Sequence, residues 1–361
     1  MAHPDSGSDR VILEPERPII DPHHHLWDRS RLALGDGPFA EHGFSAMLRE
    51  RPRYLLDELL ADTDSGHDIR ATVFIECRAM YRATGDKALR CVGETEFVNG
   101  VAAVAASGVY GDTQACAGIV GHADLRGGDA VADVLQAHIQ AGGGRFRGIR
   151  QSAAHDGDPN VLGPLSTRGA PEGLLGDADF RRGFAALAPL GLSFDAWLLE
   201  PQLPELLDLA RAFPDTTIVL DHVGGPVGIG AYAGQRDARF DGWRAQMLAL
   251  ARCENVVVKL GGLAMPFAGF DWSYDDRPDG HELLAAAWAP YIETCIEAFG
   301  VARCMFESNF PVDHFTCDYA TLWNAFKHLV ADYSEAEKTA LFSGTAARVY
   351  RLGDITGRPG R

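Results

Sequence analysis

The sequence is poor in positive charge. Its 33 lysines and arginines stand against 50 aspartates and glutamates, for a formal net charge of −17. An acidic chain repels phosphate backbones and anionic lipid, so nucleic acid and membrane surfaces are not expected as partners. A small acidic substrate stays open, because a local arginine can still grip a carboxylate. No apolar run nears the ~20 residues that cross a bilayer. Residues Met1 to Arg17 are polar, contain proline and hold no apolar leader stretch. That segment, 1–17, reads as a flexible arm, and the chain as cytoplasmic. Cysteine is sparse: seven residues, an odd number, scattered and without a CxxC pair. This excludes a disulfide framework or zinc ribbon and fits buried thiols in a reducing compartment. There is no internal repeat, no interdomain linker, and no glycine-rich dinucleotide loop after the first apolar segment.

What is present is an alternation. Short apolar or β-branched strands are expected at Pro18–Asp21, Ala71–Glu76, Ala117–Ala123, Phe146–Ile149, Ser193–Trp197, Thr217–Leu220, Val256–Lys259 and Cys304–Phe306. Helical spacing separates them at Tyr54–Asp62, Glu94–Ser107, Ala130–Ala141, Asp179–Leu190, Gln202–Phe213, Phe240–Arg252 and Glu282–Phe299. Tyr319–Leu329 and Ser334–Tyr350 close the pattern. Strands alternating with helices in this way give an α/β fold, a (β/α)8 TIM barrel, with a doubly wound open sheet as the competitor. The barrel domain spans 18–352, a tail 353–361, and two long polar segments, about 28–54 and 265–281, are placed as loops over the mouth.

In a barrel the C-terminal strand ends carry the chemistry. Here they read "DPHHH", "FIECR", "GHADL", "RGIRQSAAH", "FDAW", "VLDHVGGP", "VVKLGG" and "MFESNFPVD". Residues two apart on a strand share a face, so His23 and His25 point into the barrel and His24 away. Neutral imidazoles so spaced suit a divalent metal; the plainer alternative is a hydrogen-bonded polar loop. Glu76, His122 and His155 end other strands and are candidates for contact with substrate, with ordinary barrel-end polarity as the alternative. Trp27, Trp197, Phe267, Trp272 and Tyr274 can roof a ring substrate or simply pack. Lys259 reads as one half of a barrel-mouth ion pair.

"DPHHHLWD", "GIR", "LDHVGG", "VVKLGG" and "MFESNFPVD" together resemble the amidohydrolase-related family of TIM-barrel hydrolases. The nearest subgroup is lactonase-like and contains pyrone-dicarboxylate lactonase and fuconolactonase. The resemblance runs from about Pro18 to Leu352. It implies that His23 and His25 are the family's HxH pair, that His222 is its strand-six histidine, and that Arg150 anchors substrate oxygens; Arg78 is a second candidate for docking substrate carboxylate or hydroxyl groups, and for both arginines the plainer alternative is an ion pair with Glu76 or another acid. Asn309 falls where the family keeps an aspartate that takes a proton from the attacking water. An amide has no such basicity. Three readings stay open: Glu307, which shares a face with position 309, replaces it; Asp313 does; or the hydrolytic step is changed or lost. Glu307 is preferred, with a structural carboxylate paired to an arginine as the alternative. Strand five offers Asp195 and Trp197 where many relatives have histidine, and strand four has no lysine to bridge two metals. The set His23, His25, His222 and Glu307 could therefore hold one zinc or manganese, or work without metal by polarising the carbonyl directly.

The resemblance implies a hydrolase that opens a lactone or related cyclic ester of a small organic acid. The alternatives are a metal-dependent decarboxylase or hydratase acting on an aromatic-derived acid, or a barrel that binds without catalysis. The expected partner is a small molecule, and self-association into a homo-oligomer is expected, as in many barrels of this kind.

Overall fold

Short apolar runs build a parallel sheet. In a computed structural model of the chain, which describes residues 11–31, 37–270, 272 and 276–353, eight strands pair in the order in which they occur. They are β1 (Pro18–His24), β2 (Asp68–Ile75), β3 (Gln114–Gly121), β4 (Phe146–Arg150), β5 (Ser193–Ala196), β6 (Ile218–Leu220), β7 (Val256–Leu260) and β8 (Cys304–Phe306). The sheet closes just beyond the strand ends. His25 N donates to Phe310 O (2.8 Å) and Asn309 N to His23 O (2.9 Å). Buried Asp21 reinforces this seam by accepting from Ser308 N, Ser308 Oγ and Tyr319 Oη. The result is a (β/α)8 barrel.

Outside it lie α1 (Leu56–Thr63), α2 (Val92–Ala105), α3 (Val131–Ala141), α4 (Ala178–Phe184), α5 (Leu203–Ala212), α6 (Arg236–Leu250), α7 (His281–Phe299) and α8 (Tyr319–Leu329). Their apolar spacing explains the docking: α5 buries Leu203, Leu206, Leu209 and Ala210, one helical stripe. The barrel interior is packed from below by Ile20, Val73, Val219, Val257 and Met305 against Tyr350. Only its C-terminal end is left for a cavity.

All eight expected strands form. The expected helix Asp179–Leu190 stops at Phe184 and resumes as a 3-10 turn at Ala188–Leu190, where Pro189 removes a backbone donor. The expected 28–54 loop contains a helix, Gly43–Glu50. His42 caps it through Phe44 N (3.1 Å), and it buries Phe44, Met47 and Leu48. Residues 11–17, expected as part of a loose arm, are held. Lys327 of α8 donates to Leu13 O (2.9 Å) and Glu14 O (2.8 Å), and Asn324 exchanges hydrogen bonds with Leu13 N and Val11 O. Residues 1–10 of the arm, 354–361 of the tail, and 32–36, 271 and 273–275 of the two expected mouth loops lie outside the described residues. Among the described residues no helix is long and apolar enough to cross a membrane.

Candidate active site

At the end of β1 a register shift between Asp21 and His24 turns His23 and His25 inward. His24 faces outward and meets Thr72 Oγ1 at 2.8 Å. Inside, Glu307 lies between two imidazoles. Its Oε2 is 2.7 Å from His23 Nδ1, and its Oε1 is 2.7 Å from His222 Nδ1 and 3.1 Å from His222 N. All three residues are buried. On its other side His23 Nε2 faces Arg150 Nη1 at 3.3 Å. His25 donates from Nδ1 to Ile75 O (2.8 Å), which leaves Nε2 for the cavity.

Beneath them is an ion lattice. Lys259 Nζ contacts Asp195 (2.8 Å), Asp221 (3.0 Å) and His23 Nδ1 (3.2 Å). Arg150 contacts Glu76 (3.1 Å) and Asp221 (3.6 Å). Tyr350 Oη donates to Asp195 (2.6 Å). Lys259 is therefore the ion-pair partner its sequence position suggested. Burial pushes the Glu307 carboxyl up, but the adjacent His222 and His23 outweigh it and hold it below the usual carboxylate range. Burial, with Lys259 beside it, holds His23 down; burial, with Arg150, holds His25 well down. The floor thus combines an ionised carboxylate with neutral His23 and His25.

The backbone is bent to achieve this. His222 (φ +56°) and β-branched Val223 (φ +46°) both sit in the left-handed region. Trp243 Nε1 donates to Val223 O (2.8 Å) and holds the turn. The two glycines of "KLGG" clear the space: a Cβ on Gly261 would lie 2.5 Å from Glu307 Cγ, and one on Gly262 2.5 Å from His222 Cβ.

The cavity above is lined by His25, His222, Asn309, Glu76, Arg150, Arg78 and Trp197 from the expected set. His23 and Glu307 lie beneath it and reach it through His222. His122 and His155 are corrections: their Nδ1 atoms turn to Arg150 O (3.1 Å) and Ala170 O (3.0 Å), and neither residue lines the cavity. Asn309 (φ +54°) donates from Nδ2 to Asp313 Oδ1 (2.7 Å), so buried Asp313 holds the amide rather than facing the cavity. Phe44, Met265 and Phe267 from the two expected mouth segments do form its wall. Trp272 stacks on Phe270 instead, and Tyr274 lies outside the described residues. Sequence reasoning missed Asp221, although it adjoins His222 in "LDHVGG". It also missed Arg29, which stands in a stretch read as loop and shares no strand period with the histidines.

Donor atoms of His23, His222 and Glu307 lie within 4.8 Å of one another. Of the expected four-residue ligand set, His25 lies outside this trio and lines the cavity beside it. Glu76, Asp195, Asp221 and Glu307 set four formal negative charges against the two of Lys259 and Arg150. Both Asp221 oxygens and Glu307 Oε2 are buried without a conventional hydrogen bond. Converging donors and surplus negative charge fit a divalent cation.

The profile of the amidohydrolase family matches residues 20–352. The chain is a member of that family. This amidohydrolase is 36% identical to protein y4mH of Sinorhizobium fredii, over 92% of its own length and 98% of the relative's. It is 28% identical to an L-fucono-1,5-lactonase of Burkholderia multivorans, over 92% and 96%. A solved amidohydrolase of Burkholderia multivorans with bound zinc superposes with a TM-score of 0.68 at 25% identity, covering 93% and 99% of the two chains. The expected family and lactonase-like kinship thus hold, and the amidohydrolase is a hydrolase.

Proposed function

We propose that this amidohydrolase opens a lactone or related cyclic ester of a small organic acid by attack of water. The observation that carries the reading is the chain Arg150–His23–Glu307–His222 beneath the cavity. Glu307, engaged by both imidazoles, is an orienter more than a base. By accepting Nδ1–H from His222 it leaves Nε2 of that ring to take a proton from water. The water oxygen bonds to the lactone carbonyl carbon. Collapse breaks the ring C–O bond, and the proton on His222 passes to the departing alkoxide, giving a hydroxy acid. His25, neutral and with its Nδ1–H on Ile75 O, presents the Nε2 lone pair to the cavity and can accept a hydrogen bond from the attacking water. Asn309 cannot take the water's proton, so its place is filled functionally by the Glu307–His222 pair. With a divalent cation, zinc or manganese, held by His23, His222 and Glu307, the cation would supply the polarisation of the carbonyl and the acidification of water in place of proton transfer to His222.

The test is a panel of lactones followed by acid release, with His222→Asn and Glu307→Gln alongside. Wild-type ring opening, with a loss of about 10³-fold in both variants, is expected. Unchanged turnover in Glu307→Gln would remove the orienter from the scheme.

A further inference from the structure

Two guanidiniums at the cavity mouth meet no carboxylate among the described residues. Arg29 and Arg78 both line it. Arg29 donates from Nη2 to Cys77 O (2.9 Å) and lies 4.8 Å over the Trp27 ring. Arg78 is exposed. Neither pairs with a carboxylate among the described residues, whereas Arg150 below them meets Glu76 and Asp221.

Arg78 is also held in an unfavourable backbone conformation, φ +60°. The support is Glu94 of α2, buried to 1% exposure. Its Oε1 accepts from the amides on either side of Arg78, Cys77 N (3.1 Å) and Ala79 N (2.7 Å). A carboxyl group buried beneath a strained, solvent-facing arginine, and pushed up to about 8 by burial and by Glu76, has little purpose in packing alone. It fixes where that guanidinium stands.

Apart from the polar floor groups and Ser152, the cavity wall is largely hydrocarbon, with Trp27, Phe44, Leu165, Trp197, Met265 and Phe267. Hydroxyls pressed against it would lose water without gaining partners. A flat apolar ring would lose nothing, and its carboxylate would meet two unpaired guanidiniums. We propose that Arg29 and Arg78, positioned by Glu94, form a carboxylate subsite, and that the substrate is a lactone with an aryl or alkyl body and one carboxylate, not a polyhydroxylated sugar lactone. This deepens the lactone-hydrolase reading and rests on it for the reaction, though not for the binding.

The experiment titrates the full chain calorimetrically with benzoate and with benzamide, its neutral counterpart. Benzoate is expected to bind at least about tenfold more tightly, a preference that Arg78→Met and Arg29→Met each cut by about tenfold while benzamide binding holds. Glu94→Gln, which keeps the amide acceptor, retains the preference. Glu94→Ala loses it and speeds hydrogen exchange at the 77–79 amides. Equal binding of the two probes, or a preference that survives both arginine changes, overturns the subsite. Turnover of dihydrocoumarin with and without a ring carboxylate, against L-fucono-1,5-lactone, separates the two claims. If none is opened while benzoate behaves as expected, the reaction reading fails and the subsite stands. If the sugar lactone is the best substrate, the reaction stands and the subsite inference fails.

Discussion

Arg150 and Arg78 line the same cavity under different rules. Arg150 is buried and fixed by Glu76, Asp221 and His23, while Arg78 is exposed and meets no carboxylate among the described residues. The floor is a buried lattice in which each cation meets two carboxylates, so its cations are costly to remove. The rim is open, so its cations contribute little to stability and are free for an anion. On the proposed subsite, exposure and the lack of a carboxylate partner, rather than position on a barrel strand, single out the arginine offered to substrate.

The largest effect that would test this contrast is Lys259→Met. It leaves buried Asp195 and Asp221 without their shared ammonium, and a loss of roughly 3–5 kcal/mol is expected in urea unfolding. A stable Lys259→Met protein would break the picture of the floor as a lattice. Next comes acid. His138 donates from Nε2 to His122 O (2.9 Å), and His122 in turn meets Arg150 O, so His138 backs the floor from behind. Burial holds His138 down to about 4. Its neutral form contributes stability fully above the unfolded value near 6.5 and loses it as pH falls through about 4, up to about 3 kcal/mol in all. The His138→Gln variant should show a shallower fall in Tm over that window.

Smaller again is Gly262→Ala, which presses on His222. A drop of about 100-fold in kcat is expected with benzoate binding unchanged, since displacement of about 1 Å suffices for that loss. Loss of benzoate affinity in the same variant would couple floor to rim. Smallest is Arg78→Met, which should shift unfolding free energy by less than about 0.5 kcal/mol. Destabilisation on the Lys259→Met scale would erase the distinction.

The barrel was legible because strand and helix periods are local. Each of the eight strands lies where its apolar run stands, and the HxH spacing correctly aimed His23 and His25 inward. The short helix at Gly43–Glu50 was less legible. It is one stripe of three apolar residues behind a histidine cap, too brief to rise above a polar segment. His122 and His155 show the limit of position alone. Both end strands, and both turn to a backbone carbonyl that only the folded chain brings near.

By itself, then, the sequence determined the eight-stranded barrel, the end at which its polar residues collect, and the kinship carried by "DPHHH", "LDHVGG" and "ESNF". Only the tertiary structure decided which of those residues work together. The reason is distance along the chain: Glu307 meets His222 across 85 residues, Arg150 meets Glu76 across 74, and Lys259 meets His23 across 236. A period fixes the direction of a side chain. Closure of the barrel fixes the charge it meets there, and that choice placed Glu307 between two histidines, paired Arg150, and left Arg29 and Arg78 without a carboxylate partner among the described residues.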